Sequence, residues 1–198
     1  RKIGRAERLG IRVGEIGVDL PTGPAAARRL EELDRAWLAT KGGRPLDFLV
    51  GELGRARRIF VAVEPPDRWV GFITYVPAWG TRPGWLHDLT RRLPDAPPGT
   101  METINARAIE RLAAEGAEYL HFGLTPFAPA GEEDPAADRW LARLGDLLWR
   151  HGGAVYPARD QAHYKEKWAP EVVEPEFLAL RRGSLSAILA LLRLTRIL

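Results

Sequence analysis

The sequence predicts one α/β domain built on a mixed sheet, and three observations carry that prediction. Runs rich in β-branched and aromatic residues alternate with runs of three- and four-residue apolar spacing. No repeat appears with a period of about 20 to 50 residues, which sets solenoids aside. The stretch between Arg91 and Tyr119 holds a helix long enough to serve as a crossover. A crossover of that length makes the strands it joins parallel neighbours.

Residues 1–17 are basic and punctuated by Gly4, Gly10, Gly14 and Gly17, and they predict a lead-in rather than a core element. Pro24 to Thr40 predicts a helix, with Leu30, Leu33, Trp37 and Leu38 on one face and Lys41-Gly42-Gly43 as its stop. "DFLVGEL" is ambiguous between a short helix and a loop. "RIFVAVE" and "WVGFITYVPAW" predict a hairpin across Pro65-Pro66-Asp67, and "GWLHDLTR" a third strand. A proline turn at 94–99 leads to a helix over 100–115, stopped by Gly116. "AEYLHFGLTPF" predicts a fourth strand, 135–150 a helix, and 154–156 a short last strand.

The 198 residues, 45% hydrophobic with seven tryptophans, can bury a real core. Position 1 is not Met and no signal-like run follows it, so the chain is expected to be cut from a longer protein. Zero cysteines exclude disulfides, thiolate metal sites and a cysteine nucleophile. No apolar run reaches the roughly 18 residues of a spanning helix, so the fragment is expected to be soluble. A net charge of +3 means that a polyanion needs a local basic patch. Basic residues cluster at Arg55, Arg57 and Arg58, at Arg91 and Arg92, and at Arg181 and Arg182, and two of the four lysines are Lys165 and Lys167.

Chemistry concentrates where the third strand gives way to a helix. Asp88 and Arg91, three apart on a strand, share a cleft only if the strand ends or bulges between them. The paired arginines and the N-terminus of the next helix would then hold a phosphate or carboxylate. The simpler alternative is a salt bridge pinning a strand end. His87, His121, His151 and His163 lack metal-ligand spacing, and the only serines, Ser184 and Ser186, lie in the terminal tail. No metal site is expected. Met101 and Ile104 fit the core face of their helix.

Four motifs in order resemble a known family. They are Asp88-Leu89-Thr90-Arg91, Pro98-Gly99-Thr100-Met101-Glu102, Phe122-Gly123-Leu124-Thr125-Pro126-Phe127 and Tyr164-Lys165-Glu166-Lys167-Trp168-Ala169-Pro170. Over residues 28–180 the chain resembles the C-terminal catalytic region of the phosphatidylglycerol lysyl- and alanyltransferases, the multiple peptide resistance factor family. The resemblance implies a GNAT-like acyltransferase domain over 28–180, after a lead-in at 1–27 and before a C-terminal amphipathic helix at 181–198. It implies the upstream GNAT-like and membrane domains of a longer protein, and a place at the cytoplasmic face of the membrane.

The implied reaction moves an aminoacyl group from aminoacyl-tRNA to a hydroxyl of an anionic membrane lipid such as phosphatidylglycerol, giving resistance to cationic peptides. Aminoacyl-tRNA is the donor substrate and no cofactor is implied. Transesterification needs a proton acceptor, oxyanion stabilisation and a hold on phosphate. Asp88 suits the base, or the orientation of the acceptor hydroxyl or donor ammonium, and Arg91 suits a phosphate or carboxylate fork. Lys167 is favoured over Lys165 as the lysine that reaches the site, on an extended segment. Arg92, Glu102 and Thr125 are the expected substrate contacts, although for Glu102 the simpler role is to complement the helix dipole.

The chain departs from the family pattern at Thr90, at Glu102 and over Tyr156–Ala162. The pyrophosphate loop of acyl-CoA enzymes is absent from Arg91–Gly99, which disfavours a small-molecule N-acyltransferase. A non-catalytic half binding lipid or tRNA is the other alternative. The tail predicts a helix capped by Ser184, with Leu185, Ile188, Leu189 and Leu192 as its stripe and Arg193 and Arg196 near its end. It suits packing on this domain or its partner, or the lipid interface.

Overall fold

A computed structural model describes residues 2–40, 57–129, 138–154, 158–176 and 185–194. The chain forms two compact units, Arg1–Phe122 and Gly123–Leu198.

The first unit is a five-stranded sheet with helices on both faces. Its elements are α1 (Lys2–Arg8), β1 (Arg12–Glu15), α2 (Pro24–Ala39), β2 (Arg58–Glu64), β3 (Arg68–Ala78), β4 (Gly84–Arg92), α3 (Thr100–Ala114) and β5 (Tyr119–His121). The strands lie in sequence order, antiparallel from β1 to β4, and β5 runs parallel to β4. The α3 crossover makes β4 and β5 parallel neighbours, as its length predicts. Residues 1–17, expected to stand outside the core, instead supply α1 and the edge strand β1. Ala6 and Ile11 are buried there, because a glycine-rich, basic surface pattern hides a short apolar stripe.

Both faces of the sheet are covered, so β2 and β3 read as continuous apolar runs rather than alternating ones. On one face Phe60, Ala62, Val70, Ile73 and Tyr75 meet Met101, Ile104, Ala108 and Leu112 of α3. On the other, Val61, Val63, Trp69 and Phe72 meet Ala26, Leu30 and Leu33 of α2. Burying a polar pair inside the first core is tolerated because Tyr75 Oη donates to Asn105 Oδ1 at 2.6 Å.

Two glycines set close approaches. A Cβ on Gly84 would lie 2.2 Å from the Tyr119 carbonyl oxygen, so only glycine lets β5 meet β4 there. Gly99 holds φ at 96° just before α3, and a Cβ on it would lie 2.3 Å from the Lys2 carbonyl oxygen of α1. Gly99→Ala combines left-handed strain with a backbone clash and should cost about 2–4 kcal/mol. Urea unfolding would show it as a lower midpoint with an unchanged slope.

β5 pairs with β4 only over Gly84–Leu86. Beyond that point β4 runs on with β3 alone beside it, so within the sheet one edge of His87–Arg92 is unpaired by any described strand. The predicted fourth strand is short because Gly123 and Phe127 hold positive φ, 69° and 64°, which breaks extended pairing.

The second unit contains α4 (Arg139–His151), a 3-10 turn at Gly152–Ala154, α5 (Ala158–Glu166) and α6 (Leu185–Leu194). Asp138 caps α4 by accepting from the Trp140 N–H at 3.1 Å. Position 154, predicted to open a strand, ends the 3-10 turn instead, and 155–156 lie outside the described residues, as do "DFLVGEL" and the expected Ser184 cap. Among the described residues no helix is long and apolar enough to cross a membrane.

Candidate active site

The site begins with an irregularity in β4. Ile73 pairs with Thr90 and Tyr75 with His87, so the single residue Thr74 of β3 lies opposite two of β4, Asp88 and Leu89. The extra residue is a β-bulge at Asp88–Leu89, the condition under which Asp88 and Arg91 share a face. His87 and Thr90 now point together, and Thr90 Oγ1 and His87 Nε2 share a hydrogen bond at 3.2 Å. His87 also packs edge-on against Tyr75, on the α3 side. Asp88 and Arg91 lie on the other face, with Thr74 and Phe72.

Thr74 fills the bulge. Its fully buried hydroxyl accepts from the Leu89 N–H at 3.0 Å and donates to Asp88 Oδ2 at 3.1 Å. Arg57 Nη1 stands 2.7 Å from the same Oδ2. Among the described residues Asp88 Oδ1 has no hydrogen-bond or ion-pair partner. The Asp88 side chain as a whole is 25% exposed.

Arg91 does something different from the phosphate fork the sequence suggests. It is 2% exposed. Its Nε donates to Asp34 Oδ1 at 2.5 Å, its Nη1 donates to the Thr90 carbonyl at 3.1 Å, and its guanidinium lies 4.1 Å over the Trp37 ring. Arg91 thus bolts β4 to α2, and its charge is answered inside the protein. The expected anion site is also divided, because α3 packs on the face opposite Arg91.

Arg92 is exposed at the end of β4. Glu102 pairs with Lys2 Nζ of α1 at 3.2 Å, which ties two helices together.

In the second unit the two lysines separate. They were expected on an extended segment, but α5 runs to Glu166, so Lys165 lies in its last turn and Lys167 just beyond. Lys167 is exposed, with Nζ 5.9 Å from the Tyr164 ring. Lys165 Nζ donates to the carbonyls of Gly123 and Leu124, at 2.8 and 2.9 Å, and to Thr125 Oγ1 at 3.0 Å. The structure therefore joins Lys165 to Thr125, while Lys167 stands exposed beside Tyr164.

Burial pushes the Lys165 ammonium down from 10.5 to about 8, against the opposing pull of the Glu176 carboxylate. A lysine with a depressed folded value carries fewer protons in the folded than in the unfolded chain between those two values. Stability should therefore rise as pH goes from about 8 to about 10.5, and the cost of burying the charge is fully present below that window. Lys165→Met should flatten that rise in thermal unfolding followed against pH.

Sequence reading missed Thr74, Arg57 as the partner of Asp88, and Asp34. The small polar Thr74 within the apolar run "WVGFITYV" was the available signal.

The mixed sheet, with its bulge in β4, its parallel β4–β5 pair and α3 as the crossover, bears out the α/β class. The profile of the family described as "Phosphatidylglycerol lysyltransferase, C-terminal" matches residues 1–180, and the chain belongs to that family. It is 28% identical over 160 residues to the "Lysylphosphatidylglycerol biosynthesis bifunctional protein LysX" of Mycobacterium ulcerans (strain Agy99), covering 74% of this chain and 14% of that protein. The protein of the same description from Mycobacterium marinum (strain ATCC BAA-535 / M) is 29% identical over 154 residues, covering 71% and 14%. The chain thus spans a small part of these relatives. Its fold is shared with L-PGS from Bacillus licheniformis, at a TM-score of 0.66 and 20% identity, over 98% of this chain and 57% of that one.

Proposed function

We propose that this chain is the transferase part of a longer protein that moves an aminoacyl group, lysyl or alanyl in type, from aminoacyl-tRNA to a hydroxyl of a membrane lipid such as phosphatidylglycerol. The observation that carries the reading is Asp88 at the bulge, with one carboxylate oxygen held by Thr74 and Arg57 and the other unclaimed. In the reaction the lipid hydroxyl oxygen bonds to the ester carbonyl carbon while its proton passes to Asp88 Oδ1. The carbon–oxygen bond to the tRNA ribose then breaks, and that ribose oxygen leaves with the proton that Asp88 Oδ1 took, which restores the carboxylate. One ester replaces another, so the step as proposed calls on no cofactor.

Lys165 is a separate candidate for holding an anion, within its own unit. At neutral pH it is mainly cationic, and its three N–H donors already face oxygen atoms. A phosphate or a developing oxyanion is an acceptor of the same kind. Arg92, exposed at the strand end, suits a phosphate contact.

The reaction would take place at the cytoplasmic face of the membrane, with the upstream domains of the longer protein. Adding a cationic amino acid to an anionic headgroup lowers the negative surface potential, and with it the attraction of cationic peptides.

The test incubates the full-length protein with radiolabelled aminoacyl-tRNAs and vesicles of phosphatidylglycerol and other lipids. Label in the organic phase is expected, and chromatography identifies donor and acceptor. Binding of tRNA and vesicles without any transfer would sink the catalytic reading.

A further inference from the structure

We infer that Thr74 is a positioning residue for the transfer, holding the Asp88 carboxylate through the bulge; the inference rests on the reading of Asp88 as the proton acceptor. A strand bulge leaves one backbone N–H without its ladder partner. Here that N–H belongs to Leu89, and it donates to Thr74 Oγ1. Accepting that bond directs the hydroxyl's single proton elsewhere, and it goes to Asp88 Oδ2. One side chain thus reads the backbone irregularity and converts it into a carboxylate orientation.

The neighbours enforce this arrangement. Thr74 is 0% exposed, so water does not compete for its hydroxyl. Its flanking residues, Ile73 and Tyr75, are locked in the core under α3, and β-branching restricts the rotamer. Arg57 Nη1, itself buried, stands 2.7 Å from Oδ2 as its ion-pair partner. With Oδ2 held twice, the carboxylate cannot rotate freely, and Oδ1 is the oxygen presented to the acceptor hydroxyl. Geometry fixed in advance in this way is what a general base needs.

The test uses Thr74→Val, Thr74→Ser and Asp88→Asn in the full-length protein, with transfer kinetics, melting temperature and Leu89 amide exchange measured on each. Thr74→Val keeps the shape and removes the hydroxyl. It should lower kcat by roughly tenfold to a hundredfold, the worth of one hydrogen bond to a charged group, with both KM values nearly unchanged. Leu89 exchange should quicken. Thr74→Ser should recover most of kcat and of the protection, which a purely packing role of the threonine methyl would not allow. In the Asp88→Asn background, Thr74→Val should cost nothing further.

Full kcat in Thr74→Val, with loss in Asp88→Asn, overturns the role of Thr74 and leaves that of Asp88 standing. Equal losses in the Val and Ser variants overturn it as well, since the hydroxyl would then not matter. Full transfer in Asp88→Asn overturns both together.

Discussion

Asp88→Asn is expected to reduce transfer of label into lipid by about 10²–10⁴-fold, the range for removing a positioned general base. The amide keeps the size of the carboxylate and can still accept from the Thr74 hydroxyl, so the bulge itself should survive. What it loses is the ability to take a proton and the charge that faces Arg57. That partly exposed ion pair is worth no more than about 1 kcal/mol, so the melting temperature should fall by only a few degrees. A folded Asp88→Asn protein that transfers at the parent rate would remove Asp88 from the chemistry.

Arg91→Ala is expected to act on stability instead, by about 3 kcal/mol. The figure sits at the low end for a broken buried pair because Asp34 is 28% exposed and can recover water. The loss combines the Asp34 bond, the stacking on Trp37 and a void between β4 and α2. Arg91→Lys should recover little, since an ammonium has no planar face for Trp37 and no fork for Asp34. Denaturant unfolding with transfer measured per folded molecule separates the two possible roles. An Arg91→Ala protein of parental stability that has lost transfer would make Arg91 a substrate ligand after all.

Both expectations grow from residues visible in "HDLTRR", but they assign them opposite kinds of work. Strand alternation made the question legible: three residues apart cannot share a face unless the strand is irregular. The answer required β3. The bulge is defined by the pairing of Ile73 with Thr90 and Tyr75 with His87, partners at least 12 positions apart in the chain, and no local pattern records such a register. Arg91 has the same character. Its partner Asp34 lies 57 residues away, and a guanidinium that meets a carboxylate and an indole in the interior reads, in sequence, like any exposed arginine.

The sequence by itself determined the mixed α/β class, the apolar faces of α2 and α3, the hairpin at Pro65-Pro66-Asp67 and the parallel β4–β5 crossover. These follow from periodicity and turn chemistry, which act within about one element's length. The ordered motifs also carried the family. Tertiary structure alone decided which charges are spent and which are free. It closed Arg91 on Asp34, tied Glu102 to Lys2, turned Lys165 toward Thr125 by continuing a helix where an extended segment was expected, and fixed one oxygen of Asp88 on Thr74. The physical reason is that burial and pairing of a charge depend on what the fold brings alongside it. Those neighbours are far away in the chain.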